Sequence, residues 1–549
     1  MNNTIMIHIK HFILGIALVI SQTKNLTADS NEDKETRLVI GIIIDHMQYN
    51  YLERYAEYLS DNGFKKLLNN GAICKNVHDN YFISGYPQGY ATIATGKYPS
   101  SHGIVANEWY DRTKDKMVHC TRNEKVKTLE GSFNSGKYSP HMMLEPTFSD
   151  YIKYYDIHKK SKIIGISADN EGAILTTGFS ADAAYWFDPV FGKWVTNNYY
   201  NDSIAAWVHE FNQKKLPDTY LDREWKPLLP ADDYQESLND NNPFEKGIGN
   251  QHTFPYNLTN IKRISKDYEL LKYIPSGNTF VKDFALYAME NEKLGQDEHT
   301  DVLMINFPAI RYIDKLYGPN SMEMQDAWLR LDKDIAHFME YIEEQIGLEH
   351  TLMFVTSSYT PREYMPYVKN SKMPSGYFRI NKAWIILETY LNAIYGSKKW
   401  LTQYHNQMFY LNRHLIEDNN IDLSSMQESI ANFLTDFSSI ANAYPEYKLK
   451  YPTCQQSEFS ELQHTHHNKR SGDVYFTLNT GVQVKQLDIL TRHTWGNIVP
   501  LIWYGGDIKP QVIHKHLQIT DISPTINFLL KLPPNGQLQG DAIIELKSK

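Results

Sequence analysis

Cysteine is scarce in this chain, with three in 549 residues at Cys74, Cys120 and Cys454. At most one pair can close within the chain, so no disulfide framework carries the fold, and the spacing matches no zinc-ligand pattern. Cys74 with Cys120, which bracket one segment, is the pairing to expect; two buried thiols stand equally open. Positive charge is not in excess either: 55 Lys and Arg against 64 Asp and Glu leave a net charge of -9. No basic field is therefore available to hold nucleic acid or anionic lipid. There is no internal repeat, low-complexity tract or charged tail, which leaves small molecules or proteins as partners. Long apolar runs are missing as well. The run from Phe12 to Ile20 falls short of the ~20 residues a membrane span needs. With Lys10 before it and polar residues after it, residues 1–23 read as a signal peptide, although no A-x-A site marks the cleavage point. No cysteine ends the run, which argues against a lipid-modified N-terminus. Residues 24–36 read as a short linker, and the expected location is the periplasm or the cell surface.

What the chain does contain is core-forming material: 42% of residues are apolar and 13% aromatic. Short, nearly unbroken apolar runs occur at Leu38 to Ile44, Ile163 to Ile166, Val302 to Phe307, Leu352 to Val355 and Ile498 to Trp503. Continuous runs suit parallel strands buried on both faces. Helix-like segments separate them, at Tyr51 to Asn69, Glu145 to Tyr155, Asn278 to Glu292 and Met322 to Gln345. This alternation predicts an α/β fold with a doubly wound, mostly parallel sheet over residues 37–549. Two insertions interrupt it: a polar, Pro-rich one at about 214–276, and a Tyr-rich one at about 361–484 that ends in the hairpin-like FTLNTGVQV.

In such sheets the chemistry sits beyond the carboxyl ends of the strands. Asp45, Asp169 to Glu171, Arg311, Ser358 and Tyr359 all follow predicted strands. The stretch YFISGYPQGYATIATG has the glycine-flanked turn in which phosphate-handling enzymes place a nucleophile, yet the tip of the turn reads Tyr86-Pro87-Gln88.

RLVIGIIIDHMQYNYLERY, GYATIATGKYPSSHGIVANEWYDR, GAILTTGFSADAAYWFD, YGPNSMEMQDAWLRLD, KRSGDV and VPLIWYG occur in that order along nearly the whole chain. Together they resemble the alkaline phosphatase superfamily, most closely its periplasmic, phosphate-irrepressible branch with a threonine nucleophile. The phosphodiesterase/nucleotide pyrophosphatase branch is the next relative. The resemblance implies a site in which two zinc ions clamp a phosphoryl group, with Asp and His ligands in tetrahedral arrays. It also shows where this chain departs. The first carboxylate ligand is kept as Asp45, and the nucleophile falls on Tyr86. Further ligands fall on Arg311 and Lys315, on Ser358 and Tyr359, and on Ile489, with His493 close enough for a local shift to restore one. Among the phosphate contacts Asn107 is kept, while a lysine and an arginine fall on Asp169 and Glu171.

These replacements predict a pseudophosphatase with no cofactor. It would act by binding an unidentified protein or a small anionic ligand, with Asn107, Arg311 and Lys315 as the binding candidates. An internal ion-pair plug joining Arg311 and Lys315 to Asp45, Asp169 and Glu171 competes with an open anion site. The enzymatic alternative is a phosphomonoesterase or phosphodiesterase with a rebuilt, metal-independent site using Tyr86 and Arg311. His464, His466 and His467 form the only histidine cluster and read as a solvated loop; His102 and Ser84 read as structural.

Overall fold

The structure, a computed structural model, describes residues 35–82, 85–359, 372, 375–451, 457–484, 498–533 and 538–547. The signal peptide, nearly all of the linker, Ser84, the start of the second insertion, Cys454, Ile489 and His493 lie outside the described residues. None of the helices described is long and apolar enough to cross a membrane.

Nine strands carry the architecture: β1 Leu38–Ile44, β2 Ala72–His78, β3 Ile163–Ser167, β4 Ala183–Asp188, β5 Lys193–Asn197, β6 Asp301–Phe307, β7 Thr351–Thr356, β8 Ile498–Tyr504 and β9 Gln511–Ile513. They lie in the order β9-β2-β8-β7-β1-β6-β3-β4-β5, with Thr128–Leu129 added beyond β5 and Leu517–Gln518 beside β2. From β7 through β1, β6 and β3 to β4 every pairing is parallel. The central strand explains why its sequence does not alternate in polarity. Leu38, Ile40, Ile42 and Ile44 enter the core on one face, and Val39 and Ile43 enter the core on the other. Each buried aliphatic side chain contributes roughly 1.5–3 kcal/mol, so both faces favour the same unbroken apolar run. Gly41 is the exception, because a Cβ there would lie 2.5 Å from the Met304 side chain and 2.6 Å from the Phe354 ring. The space it leaves is taken by its neighbours on β6 and β7.

Several expectations are corrected. The strand β8 is apolar like the rest but runs antiparallel to both β7 and β2; burial on two faces sets hydrophobicity and is indifferent to direction. The predicted helix over Tyr51 to Asn69 is two helices, Tyr49–Arg54 and Phe64–Asn70. The second begins where the backbone N–H groups of Ser60 and Phe64 donate to the Asp332 carboxylate at 2.6 and 2.8 Å, a cap supplied from far along the chain. FTLNTGVQV is no hairpin: Val474–Leu478 pairs with Met408–Leu411 and Ile440–Pro445, while Val482–Val484 pairs with Gly376–Phe378. With Leu401–His405 the first three of these form a four-stranded sheet over its own apolar core. Cys74 and Cys120 are both free and buried, so the disulfide is ruled out. Cys74 is a β2 residue opposite Leu501, and burial pushes its thiol up to about 12.

Gly41→Ala is expected to cost ~1–3 kcal/mol by overpacking the sheet where β1, β6 and β7 meet, read as a lower midpoint in urea denaturation with an unchanged slope.

Candidate functional site

Four neighbouring strands, β7, β1, β6 and β3, end side by side, and the candidate residues collect there. Four helices serve as references: α1 Tyr86–Thr95, α2 Asn170–Leu175, α3 Ala309–Tyr317 and α4 Met322–Gln345. In the first turn of α1 Pro87 pre-sets the backbone, and Gly96 closes the helix at φ 67°. Halfway along α1, a Cβ on Gly89 would sit 1.7 Å from the Ser358 carbonyl oxygen. Glycine there lets α1 lie directly on the chain leaving β7, which brings Tyr86 and Tyr90 to the end of β1.

Asp45 follows β1 and is fully buried. One oxygen accepts from the Tyr90 hydroxyl at 2.6 Å; the other accepts from Asn306 Nδ2 and Ser358 Oγ, each at 3.0 Å. Burial raises this carboxyl above its ordinary range, and Arg311, whose Nε lies 3.6 Å away, opposes that only in part. Asp169, at the N-cap of α2, has a different balance. Burial would raise it too, but Lys272 Nζ at 3.1 Å and a direct bond from Arg311 Nη2 outweigh burial and hold it below the carboxylate range. The Tyr312 hydroxyl adds bonds of 3.0 Å to the same carboxylate.

Arg311 therefore stands at the centre. Its guanidinium carbon lies 3.8 Å from the Tyr86 ring centroid and 4.8 Å from that of Tyr312, cation–π distances on two aromatic rings. The group is 8% exposed, and its Nη1 is buried with no hydrogen-bond partner. On the β7 side His46 bridges Asp314, at 2.7 Å from Nδ1, and the Tyr359 hydroxyl, which meets Nε2. His46 adopts a left-handed φ of 61°, a conformation held by these two partners. On the α2 side Glu171 meets His119 Nε2 at 3.0 Å. His119 Nδ1 accepts from the Thr121 amide at 3.3 Å and lies 4.0 Å from Cys120 Sγ. Burial works against an imidazolium there, yet Cys120 and Glu171 together raise His119 above its ordinary value.

Of the residues expected from the sequence, Asp45, Tyr86, Asp169, Arg311 and Ser358 meet in one network. Glu171 is turned towards His119, and Tyr359 towards His46. Asn107 is half-buried on the chain before Glu108–Asp111, where its carbonyl accepts from the Cys120 amide at 2.8 Å. Lys315 departs from the expectation: it lies on the exposed side of α3, while Asp314, one residue earlier, faces inward. The second cation of the network is Lys272, from the short turn Glu269–Tyr273. No motif marks Lys272, and the same holds for His119. Asn306 and Tyr90 were visible as polar groups inside apolar runs, and His46 as the residue after Asp45.

Burial pushes the Tyr86 phenol well above its ordinary value, with Arg311 opposing only in part, so it is poorly suited to act as a phenolate nucleophile. The histidine cluster is not a solvated loop. His464 is the second-last residue of the helix Glu458–Thr465, donates to the Asn80 carbonyl at 2.6 Å and stacks on Tyr98 at 3.7 Å. His466 is buried against the Tyr475 hydroxyl at 2.9 Å. His102 is buried and bonded to Thr92 Oγ1 at 3.0 Å, and burial takes it down to about 3.

Residues 39–496 match the family of type I phosphodiesterases / nucleotide pyrophosphatases. Alkaline phosphatase PafA of Elizabethkingia meningoseptica is 30% identical over 98% of this chain and 99% of its own. Alkaline phosphatase PhoV of Synechococcus elongatus is 30% identical over 93% of this chain and 92% of its own. The crystal structure of wild-type PafA superposes with a TM-score of 0.88 over 94% of this chain and 99% of that one.

These relatives overturn the expectation that the chain has no cofactor. It is similar over its whole length to alkaline phosphatases, the group for which the resemblance implied zinc, and that expectation is withdrawn. The donor set is a separate matter. Among the described residues no three His, Cys, Asp or Glu side chains are placed to share an ion. The groups that meet Asp45 are a guanidinium, a phenol, an amide and a hydroxyl, and the His46 imidazole beside it is taken by Asp314 and Tyr359, so this set does not fit a two-zinc clamp.

Arg311→Ala would leave Asp45 and Asp169 buried beside one remaining cation and is expected to cost ~3–5 kcal/mol at pH 7. Asp169, held low, stabilises the fold above the ordinary carboxylate range, and that contribution is lost as pH falls through its folded value. Much of it is already gone in the variant, so the deficit should stay level from pH 7 to pH 4 and shrink as pH falls below 4 in denaturant titrations.

Proposed function

The chain belongs to the type I phosphodiesterase / nucleotide pyrophosphatase family, and from that premise we propose that it is an exported pseudophosphatase whose phosphoryl pocket is closed by its own ion pairs. It then works by binding a protein or a small anionic ligand. The observation that carries this reading is the Arg311 guanidinium, stacked on Tyr86 and bonded to Asp169 in the space between Asp45 and α1. Charge bookkeeping supports it. Arg311 and Lys272 face Asp45 and Asp169, Lys272 also faces Glu269, and Glu171 lies against His119, so no surplus of positive charge is left in the pocket for a phosphate dianion. A phosphoryl group entering there would displace contacts among buried partners and meet three carboxylates. The binding surface is accordingly expected outside the closed pocket, with half-buried Asn107 and exposed Lys315 among the candidates for anion contact.

Export rests on the reading of residues 1–23 and periplasmic or cell-surface residence follows from it; both are tested by fractionating cells that express the full chain.

The rival reading keeps turnover through Tyr86 and Arg311, and the close stacking of the two is what favours it. One assay separates them. Purified protein, as prepared and after loading with zinc, is given an aryl phosphate monoester and an aryl diester. No turnover above blank in either state is expected. Zinc-stimulated hydrolysis would defeat the proposal, and zinc-independent hydrolysis lost in Tyr86→Phe would establish the rival.

A further inference from the structure

The second insertion holds a cavity of its own, and none of the residues lining it belongs to the Arg311 network. It has a volume of about 650 Å³ and lies between the helix Ile380–Tyr395 and the strand Leu401–His405, at the edge of the four-stranded sheet. Small-molecule sites span ~300–1,000 Å³. The helix supplies an apolar wall. Ile380, Ala383, Leu387 and Leu391 bury one side of it in the insertion's core. Trp384 is only half-buried and Ile385 is 65% exposed, and both line the cavity.

The polar features at the same place favour an anion. Ile380 and Asn381, the first residues of the helix, line the cavity, and no side chain caps this terminus. Its free N–H groups and the positive end of the helix dipole are therefore available there. Lys399 also lines the cavity and has no ion-pair partner among the described residues. Tyr404 lines it from the strand, with its ring packed on Phe409 and Phe476. The buried Tyr404 hydroxyl finds no acceptor, which leaves an unspent donor in the cavity wall. The surroundings have the same sign. Residues 379–404 contain Arg379, Lys382, Lys398 and Lys399 against Glu388 alone, in a chain whose net charge is -9.

We propose that this cavity binds a small aromatic carboxylate, with its ring against Trp384 and Ile385 and its carboxylate between Lys399 and the start of the helix. An indole and an aliphatic side chain suit a planar apolar body. One lysine charge and the roughly half charge of a helix terminus match a monoanion better than a phosphate dianion. The site stands apart from the sheet-end pocket, so it holds whether that pocket is closed or open.

Isothermal titration of the full chain with 2-naphthoate tests this, because no phosphatase can turn that probe over. Saturable binding of one probe per chain is expected. The neutral isostere 2-naphthamide should bind about tenfold more weakly, having lost the charge-assisted contacts. Lys399→Gln, an exposed substitution, should weaken naphthoate about threefold. Ile385→Glu places a carboxylate on the exposed wall and should weaken it by about tenfold. Neither side chain is buried, so Tm should be unchanged in both variants. No binding to the wild type, equal affinity for the amide, or an affinity unmoved in either variant would overturn the site.

Discussion

One guanidinium group organises the end of this sheet. Arg311 lies between Asp45 and Asp169, with the Tyr86 and Tyr312 rings against it, and each of these partners comes from a different part of the chain. A buried arginine is tolerable only when its charge and its donors are met, and a buried carboxylate imposes the same demand in return. The group is thus mutually dependent: Asp45 needs Arg311, Tyr90, Asn306 and Ser358, and Asp169 needs Arg311 and Lys272. Replacing any one member re-exposes the cost of the others.

The sheet makes this convergence possible. Parallel strands in the order β7-β1-β6-β3 place four carboxyl ends in a row, so residues more than three hundred positions apart, such as Asp45 and Ser358, come within hydrogen-bonding distance. Gly89 then lets α1 close over the row against the Ser358 carbonyl. The relatives with which the chain shares this frame are named as alkaline phosphatases. The scaffold is shared with PafA at a TM-score of 0.88, and the polar groups at its strand ends in this chain pair with one another. Scaffold and chemistry are separable, because the frame rests on apolar burial and the site on a few side chains.

Much of this was legible in the residues themselves. Unbroken apolar runs located β1, β3, β6, β7 and β8, since burial on both faces leaves no polar positions to alternate. The direction of β8 was not legible, because burial carries no information about polarity of the chain. Cys74 and Cys120 looked like a pair through sequence proximity alone, yet one belongs to a sheet strand and both are free. The histidines at 464 and 466 read as a loop because their polar neighbours hide contacts to Asn80, Tyr98 and Tyr475, which are distant in the chain or in another element.

The sequence by itself determined the family and the mostly parallel sheet, and it picked out Tyr86, Asp169, Glu171 and Arg311 as residues at the strand ends. Those are properties of residue type and order. Only the tertiary structure decided how these charges are compensated: Lys272 rather than Lys315 completes the pair on Asp169, His119 takes Glu171, and His46 ties Asp314 to Tyr359. Compensation is a matter of distance and burial, and a side chain from a distant turn or on the other side of a helix acquires those only when the chain has folded.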